Sequence, residues 1–187
     1  MKKRIIFAFL IVFIGTIFLK GNESKTYVGA GISYSSDSLK GPFGDDSLNY
    51  FHLNISLDVD NAISDGFSLI FNLSIPLASE DYWCRWDQKE KHYMVSGGIK
   101  WKLLRNFYIS PKIGAYLYKW TIFWDNVPPE EDSGVNHFEE ISLGISLSEK
   151  AKFKSEVEVF FMLMSSWVFS NSTEKFFGIR FTFYHLI

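Results

Sequence analysis

Through most of this chain every second residue is apolar, and the residues between them are small or polar. Residues 50–60, YFHLNISLDVD, show the rule: Phe51, Leu53, Ile55, Leu57 and Val59 share one parity, His52, Asn54, Ser56 and Asp58 the other. Side chains of an extended strand alternate faces with a period of two, so such a segment has one oily and one polar side. Eight segments follow the pattern: Thr26 to Ser35, Asn49 to Asp60, Gly66 to Leu77, His92 to Leu103, Phe107 to Trp120, Phe138 to Ser148, Lys152 to Met164 and Lys175 to His185. Many approach the roughly 9–11 residues with which a tilted strand crosses a bilayer.

The connections alternate in length. Those after the first, third, fifth and seventh segments are long, such as SDSLKGPFGDDSL and ASEDYWCRWDQKEK; those after the second, fourth and sixth are NAISD, LRN and EKA. An even strand number with tight turns on one rim and longer loops on the other is the plan of a bacterial outer-membrane barrel. Ahead of the strands, Lys2, Lys3 and Arg4 precede an uncharged run from Ile5 to Leu19, which reads as a signal peptide over residues 1–21. Residues 22–187 then form one barrel domain.

Two features set which face looks outward. The polar parity holds Gly29, Gly31, Gly98, Gly114, Gly144 and Gly178 beside many serines, as the cramped inside of a narrow cylinder requires. The apolar parity ends in aromatics at both levels: Phe51, Tyr93 and Phe177 toward the long loops, and Phe67, Trp101, Phe107, Phe153 and Phe183 toward the short turns. Two aromatic girdles mark two lipid–water interfaces. The expected fold is all-β: an eight-stranded antiparallel up-and-down transmembrane β-barrel, with short periplasmic turns and longer outer loops.

With its leader, its hairpin rhythm, segments such as FEEISLGISL and its closing strand FFGIRFTFYHLI, the chain resembles the small eight-stranded outer-membrane proteins of the OmpX, OmpA-barrel and OmpW kind. That resemblance implies residence in the bacterial outer membrane, among its lipid and lipopolysaccharide, after delivery to the barrel-assembly machinery.

A formal charge of -2 offers no electrostatic case for nucleic acid. Cys84 is the only cysteine, so no internal disulfide forms. Placed by height, the inward parity divides into two halves. Asp58, Lys100, Lys102, Lys112, Lys154 and Glu156 fall toward the periplasm, with Glu158 and Arg180 nearer the middle. Buried charges persist when paired, so a salt-bridge network filling the lower lumen is expected. Toward the outside the same parity carries Tyr50, Met94, Tyr116, Tyr118, Phe138, Phe160, Met162, Met164 and Phe176, joined by His52, His92 and Glu140. Such a set either packs shut or lines a pocket for an acyl chain or other hydrophobic small molecule.

Catalysis has a thinner basis. Outer-membrane barrels that modify lipid A use His and Ser near the outer rim, where His52, His92 and His137 fall, the last followed by Glu139 and Glu140. The His-x-Ser arrangement of the lipid A deacylase is missing, since Phe138 and Glu139 follow His137. No catalytic set, metal site or cofactor is assigned. The expected role is that of a monomeric, non-enzymatic structural or surface-interaction barrel with a charge-plugged lumen. A hydrophobic-ligand carrier and a lipid A-modifying enzyme are the alternatives.

Overall fold

The computed structural model describes residues 24–41, 44–77, 80–84, 86–124, 127–150, 152–166 and 172–187; the expected leader lies outside these residues. Nine antiparallel strands form: β1 (Lys25–Gly41), β2 (Gly44–Ser64), β3 (Phe67–Pro76), β4 (Glu80–Cys84), β5 (Trp86–Lys102), β6 (Phe107–Trp124), β7 (Val127–Lys150), β8 (Phe153–Ser166) and β9 (Ser172–Leu186). Each strand pairs with its sequence neighbour, except that β3 pairs with β5, and β1 pairs with β9 to close the ring. The short β4 also pairs with β5, above β3, so the two share one stave and the wall has eight.

The chain therefore folds as the expected meander, with one difference in its loops. Much of the sequence between the transmembrane segments continues as strand. β1 and β2 stay paired out to Gly41 and Gly44, β4 and β5 form a hairpin from Cys84 and Trp86, and β6 and β7 pair out to Trp124 and Val127. In the β6–β7 ribbon Glu130, Glu131, Asp132 and Ser133 are exposed in succession, so both faces meet water and the alternation that marks the strands below is lost. On the opposite rim the turns are tight. Gly66 adopts φ 82° between β2 and β3, a left-handed conformation that suits glycine.

The register fixes the barrel's shape. A path of directly opposed inward residues runs Tyr184, Gly29, Ser56, Asn72, Ser96, Gly114, Phe138, Met164 and back to β9 at Glu174, ten residues from where it began. A shear of that size over eight staves tilts the strands by about 40° and gives a backbone radius of about 8 Å. Little room is left inside once side chains are added.

The faces fall as the parity requires. Ile32, Ile113, Leu143, Val159 and Phe183 are exposed on the outer surface, whereas Ser56, Asp58, Lys100 and Ser110 on the opposite parity are buried. In water such an exterior would be insoluble; in a bilayer it needs no further cover. The lower girdle includes a Phe67–Trp101 stack (ring centroids 5.6 Å apart) and an edge contact of Phe153 with His185 (4.8 Å). Tyr34 with Phe51 (5.0 Å) and Phe161 with Phe177 (4.8 Å) mark the upper one.

Inside, glycine makes room for rings. Tyr108 lies opposite Gly144, Phe138 opposite Gly114, Phe160 opposite Gly178 and Tyr184 opposite Gly29. A Cβ added at any of these glycines would intrude on the ring across from it. We expect Gly144→Val to displace the Tyr108 ring and cost about 1–3 kcal/mol through overpacking. Urea unfolding in lipid vesicles measures this, and truncating Tyr108 to Ala in the same protein should relieve much of the added strain.

Candidate functional site

The lumen holds three layers, and each stave contributes to them according to the tilt. The lowest is an ionic group of Asp58 on β2, Lys100 on β5, and Lys154 and Glu156 on β8. Lys100 Nζ donates to Asp58 and to Glu156, the latter at 2.8 Å, and Lys154 Nζ donates to Asp58 at 2.5 Å. Two cations meet two anions, so the group is neutral. Lys154 also lies 3.4 Å from Glu156, and aromatic rings surround the group. Tyr108 donates its hydroxyl to Glu156 at 2.9 Å, and the Lys154 ammonium lies 4.5 Å from the centre of the Tyr27 ring and 4.8 Å from that of Tyr184. Beneath it, Lys102 pairs with Asp60 at 2.9 Å, and Ser68 donates to the same carboxylate at 2.7 Å.

The second layer is a separate ionic group at mid-height: Lys112 on β6, Glu140 on β7, Glu158 on β8 and Arg180 on β9. Arg180 spans both carboxylates, with Nη1 2.7 Å from Glu158 and Nη2 3.0 Å from Glu140. Lys112 closes the square at 2.8 Å from Glu140 and 3.2 Å from Glu158. Ser142 adds a hydrogen bond to Glu158 at 3.2 Å. This group is neutral too. Beside it runs an uncharged chain: Ser74 donates to Asn54 (2.6 Å), Asn54 donates to Ser33 (3.0 Å), and Ser56 donates to Asn72 (2.7 Å). Opposed charges at hydrogen-bond distance offset the cost of drying them, which unpaired ions in this space could not do.

The third layer closes the outer half. Tyr50, Met94, Tyr116, Phe138, Phe160, Met162, Met164 and Phe176 form one cluster with Tyr118 packed against it, and none of the eight is more than 8 % exposed. Tyr50 stacks on His92 (centroids 5.0 Å) and meets Phe176 edge-on (5.5 Å), while His92 meets Tyr116 at 5.3 Å. His52 directs Nε2 to the backbone carbonyl of His92 at 3.2 Å. Phe160 joins the layers, its ring 4.8 Å from the Arg180 guanidinium carbon.

The grouping differs from the sequence expectation in three respects. Lys112 belongs to the middle layer rather than the periplasmic half. Glu140, expected beside His52 and His92, is held by Arg180 and Lys112 instead. His137 shares neither position: it lies on the exposed, outward parity, opposite Ala115, while His52 and His92 are buried inside. The rim histidines and glutamates therefore do not converge on one centre. Among the described residues no group of three or more His, Cys, Asp or Glu is placed to hold a metal. The sequence reading also missed Tyr27, Tyr108 and Tyr184. They share the parity of the charges they cover, but only the register shows which lysine lies under which ring.

A closed eight-stave wall and a lipid-facing exterior define an integral outer-membrane β-barrel. No protein-family model matches the chain, and no curated protein does. Solved structures do match. Ail of Yersinia pestis is 13% identical at a TM-score of 0.63, covering 88% of this chain and 99% of that one. Neisserial surface protein A is 10% identical at 0.59, covering 90% and 100%. OprG of Pseudomonas aeruginosa is 8% identical at 0.53, covering 90% and 98%. At these identities the likeness is one of fold. The chain is a small eight-stranded barrel of the outer-membrane type, and its exterior places it in that bilayer.

Proposed function

We propose that the protein is a monomeric, non-enzymatic barrel whose sealed body carries outer ribbons for surface interaction, its neighbours being outer-membrane lipid and lipopolysaccharide. The observation that carries this reading is the lumen. Two neutral ionic groups and an aromatic–methionine cluster follow one another along the axis, and their side chains are almost wholly buried, which supports a closed lumen. A carrier of hydrophobic molecules would draw on the upper cluster, whose side chains instead spend their surface on one another. A lipid A-modifying enzyme would draw on His92 or His137, which lie on opposite faces of the wall, the first buried and the second exposed.

Above the body, β6 and β7 continue as a paired ribbon with Lys119, Glu130, Glu131 and Asp132 exposed, Lys119 pairing with Glu131 at 3.0 Å. One Ail structure holds the heparin analogue sucrose octasulfate. The excess of carboxylates on this ribbon repels a polyanion and favours a cationic partner.

The experiment is reconstitution into planar bilayers. We expect no steady ion conductance above the unmodified membrane. Removing side chains from the upper cluster (Tyr116→Ala with Met162→Ala) should leave the middle ionic layer still blocking the axis. Discrete channel openings by the unaltered protein would end the sealed-body reading.

A further inference from the structure

Among the described residues, the lipid-facing side of the wall carries a groove of about 460 Å³ across β5, β6, β7 and β8. That volume falls in the range of roughly 300–1,000 Å³ usual for small-molecule sites. Its floor is low because the outward positions there include Gly97 and Pro111, where most of that parity carries long apolar side chains. Ladder pairing between β5 and β6 lapses at the same place, between the Gly98–Lys112 and Trp101–Ile109 pairs, where Pro111 has no N–H to give. Ile113 stands between Gly97 and Glu139 on the ladder, the Phe71 ring borders Gly97 on its other side, and Ile141, Phe161 and Leu163 complete the outward lining.

The groove also holds Glu139, an exposed carboxylate on the outward parity, opposite Ile113 on β6 and Leu163 on β8. Along β7 it lies one dyad above Ile141, whose row continues through Phe161 to Phe177 of the upper girdle. Glu139 therefore sits near the interface where lipid head groups begin. Among the described residues it makes no hydrogen bond or ion pair, unlike every carboxylate of the two luminal groups. An apolar trough that ends at a lone anion at head-group height matches a molecule with a hydrocarbon tail and an ammonium at the end of its head group.

We propose that this groove seats one membrane lipid bearing a primary amine in its head group, of the phosphatidylethanolamine type. Its acyl chain lies over Gly97 and Pro111 against Ile141 and Phe161, and its ammonium pairs with Glu139. The small floor residues supply chain contact that an ordinary convex barrel wall cannot, because dispersion contacts fall off within an ångström of separation. The carboxylate supplies head-group selection. A choline head has no N–H to donate and holds its charge behind methyl groups, so it is the discriminating competitor.

The test is lipid retention. The full barrel is reconstituted with equal amounts of dioleoyl phosphatidylethanolamine and dioleoyl phosphatidylcholine, partly delipidated with detergent, and read by native mass spectrometry. We expect the ethanolamine lipid to be retained about fivefold over the choline lipid, which converts to about 1 kcal/mol, the upper part of the range for an interfacial ion pair. Glu139→Gln, an exposed position outside every luminal contact, should bring the ratio to about one. Gly97→Leu should lower retention of both lipids by raising the floor; if it prevents folding, Glu139→Gln still decides. Equal retention of the two lipids, no retained lipid, or a preference that survives Glu139→Gln would each overturn the assignment.

Discussion

Replacing Arg180 with methionine should cost the folded barrel about 3–5 kcal/mol, the penalty for leaving buried ions without a partner. Arg180 bridges Glu140 and Glu158, and its removal leaves Lys112 alone between two carboxylates that are almost wholly buried. Lys112→Met should have a similar effect, since Arg180 must then balance both anions. The measurement is reversible urea unfolding in lipid vesicles. A companion variant separates loss of balance from loss of charge as such. With Lys112→Met, Arg180→Met, Glu140→Gln and Glu158→Gln together, the layer is uncharged, and much of the stability should return. If Arg180→Met alone unfolds at the same urea concentration as the unaltered barrel, the middle layer is not a balanced structural unit.

The second large effect lies on the other side of the wall. Leu143 is an exposed, outward residue of β7 whose neighbours across the ladder are Ile109 and Val159, between the two aromatic girdles. Arginine there should cost about 2–4 kcal/mol, because its charge lies in hydrocarbon. The same change at Leu147, also exposed and close to the short-turn rim, should cost about 0–1 kcal/mol. The difference between the two sites carries the information, since it depends on depth rather than on the substitution. Equal costs would mean that the apolar band does not face a bilayer.

Strand number, facing and location were readable from the sequence because each rests on a local rule. Segment 50–60 shows its two faces without reference to any other strand, and glycines on one parity indicate a tight interior. Heights inside the lumen are not local. Counted along its own strand, Glu140 lies far from the short-turn rim, near the rim histidines, whereas Lys112 lies close to it. The tilt cancels that difference: opposed positions climb from stave to stave, so Lys112 on β6 stands directly across from Glu140 on β7. Only the closed register reveals the pairing, and with it the split of one expected ionic network into two. The upper ribbons were hidden for another reason. Residues 130–133 of the β6–β7 ribbon face water on both sides and carry no alternation to read.

The seam between β1 and β9 has a consequence for how the molecule comes into being. Tyr27 lies beside Leu186, and the amide of Ile187 donates to the carbonyl of Thr26 at 3.0 Å, so the chain's last residues fasten its first strand. Until they arrive, the sheet has two raw edges whose amides hydrocarbon cannot satisfy. An open sheet of these strands has no stable resting place in the bilayer unaided, and joining such distant segments carries the entropy of closing the whole ring. Loss of even the terminal hairpin should therefore abolish membrane insertion outright rather than yield a smaller cylinder.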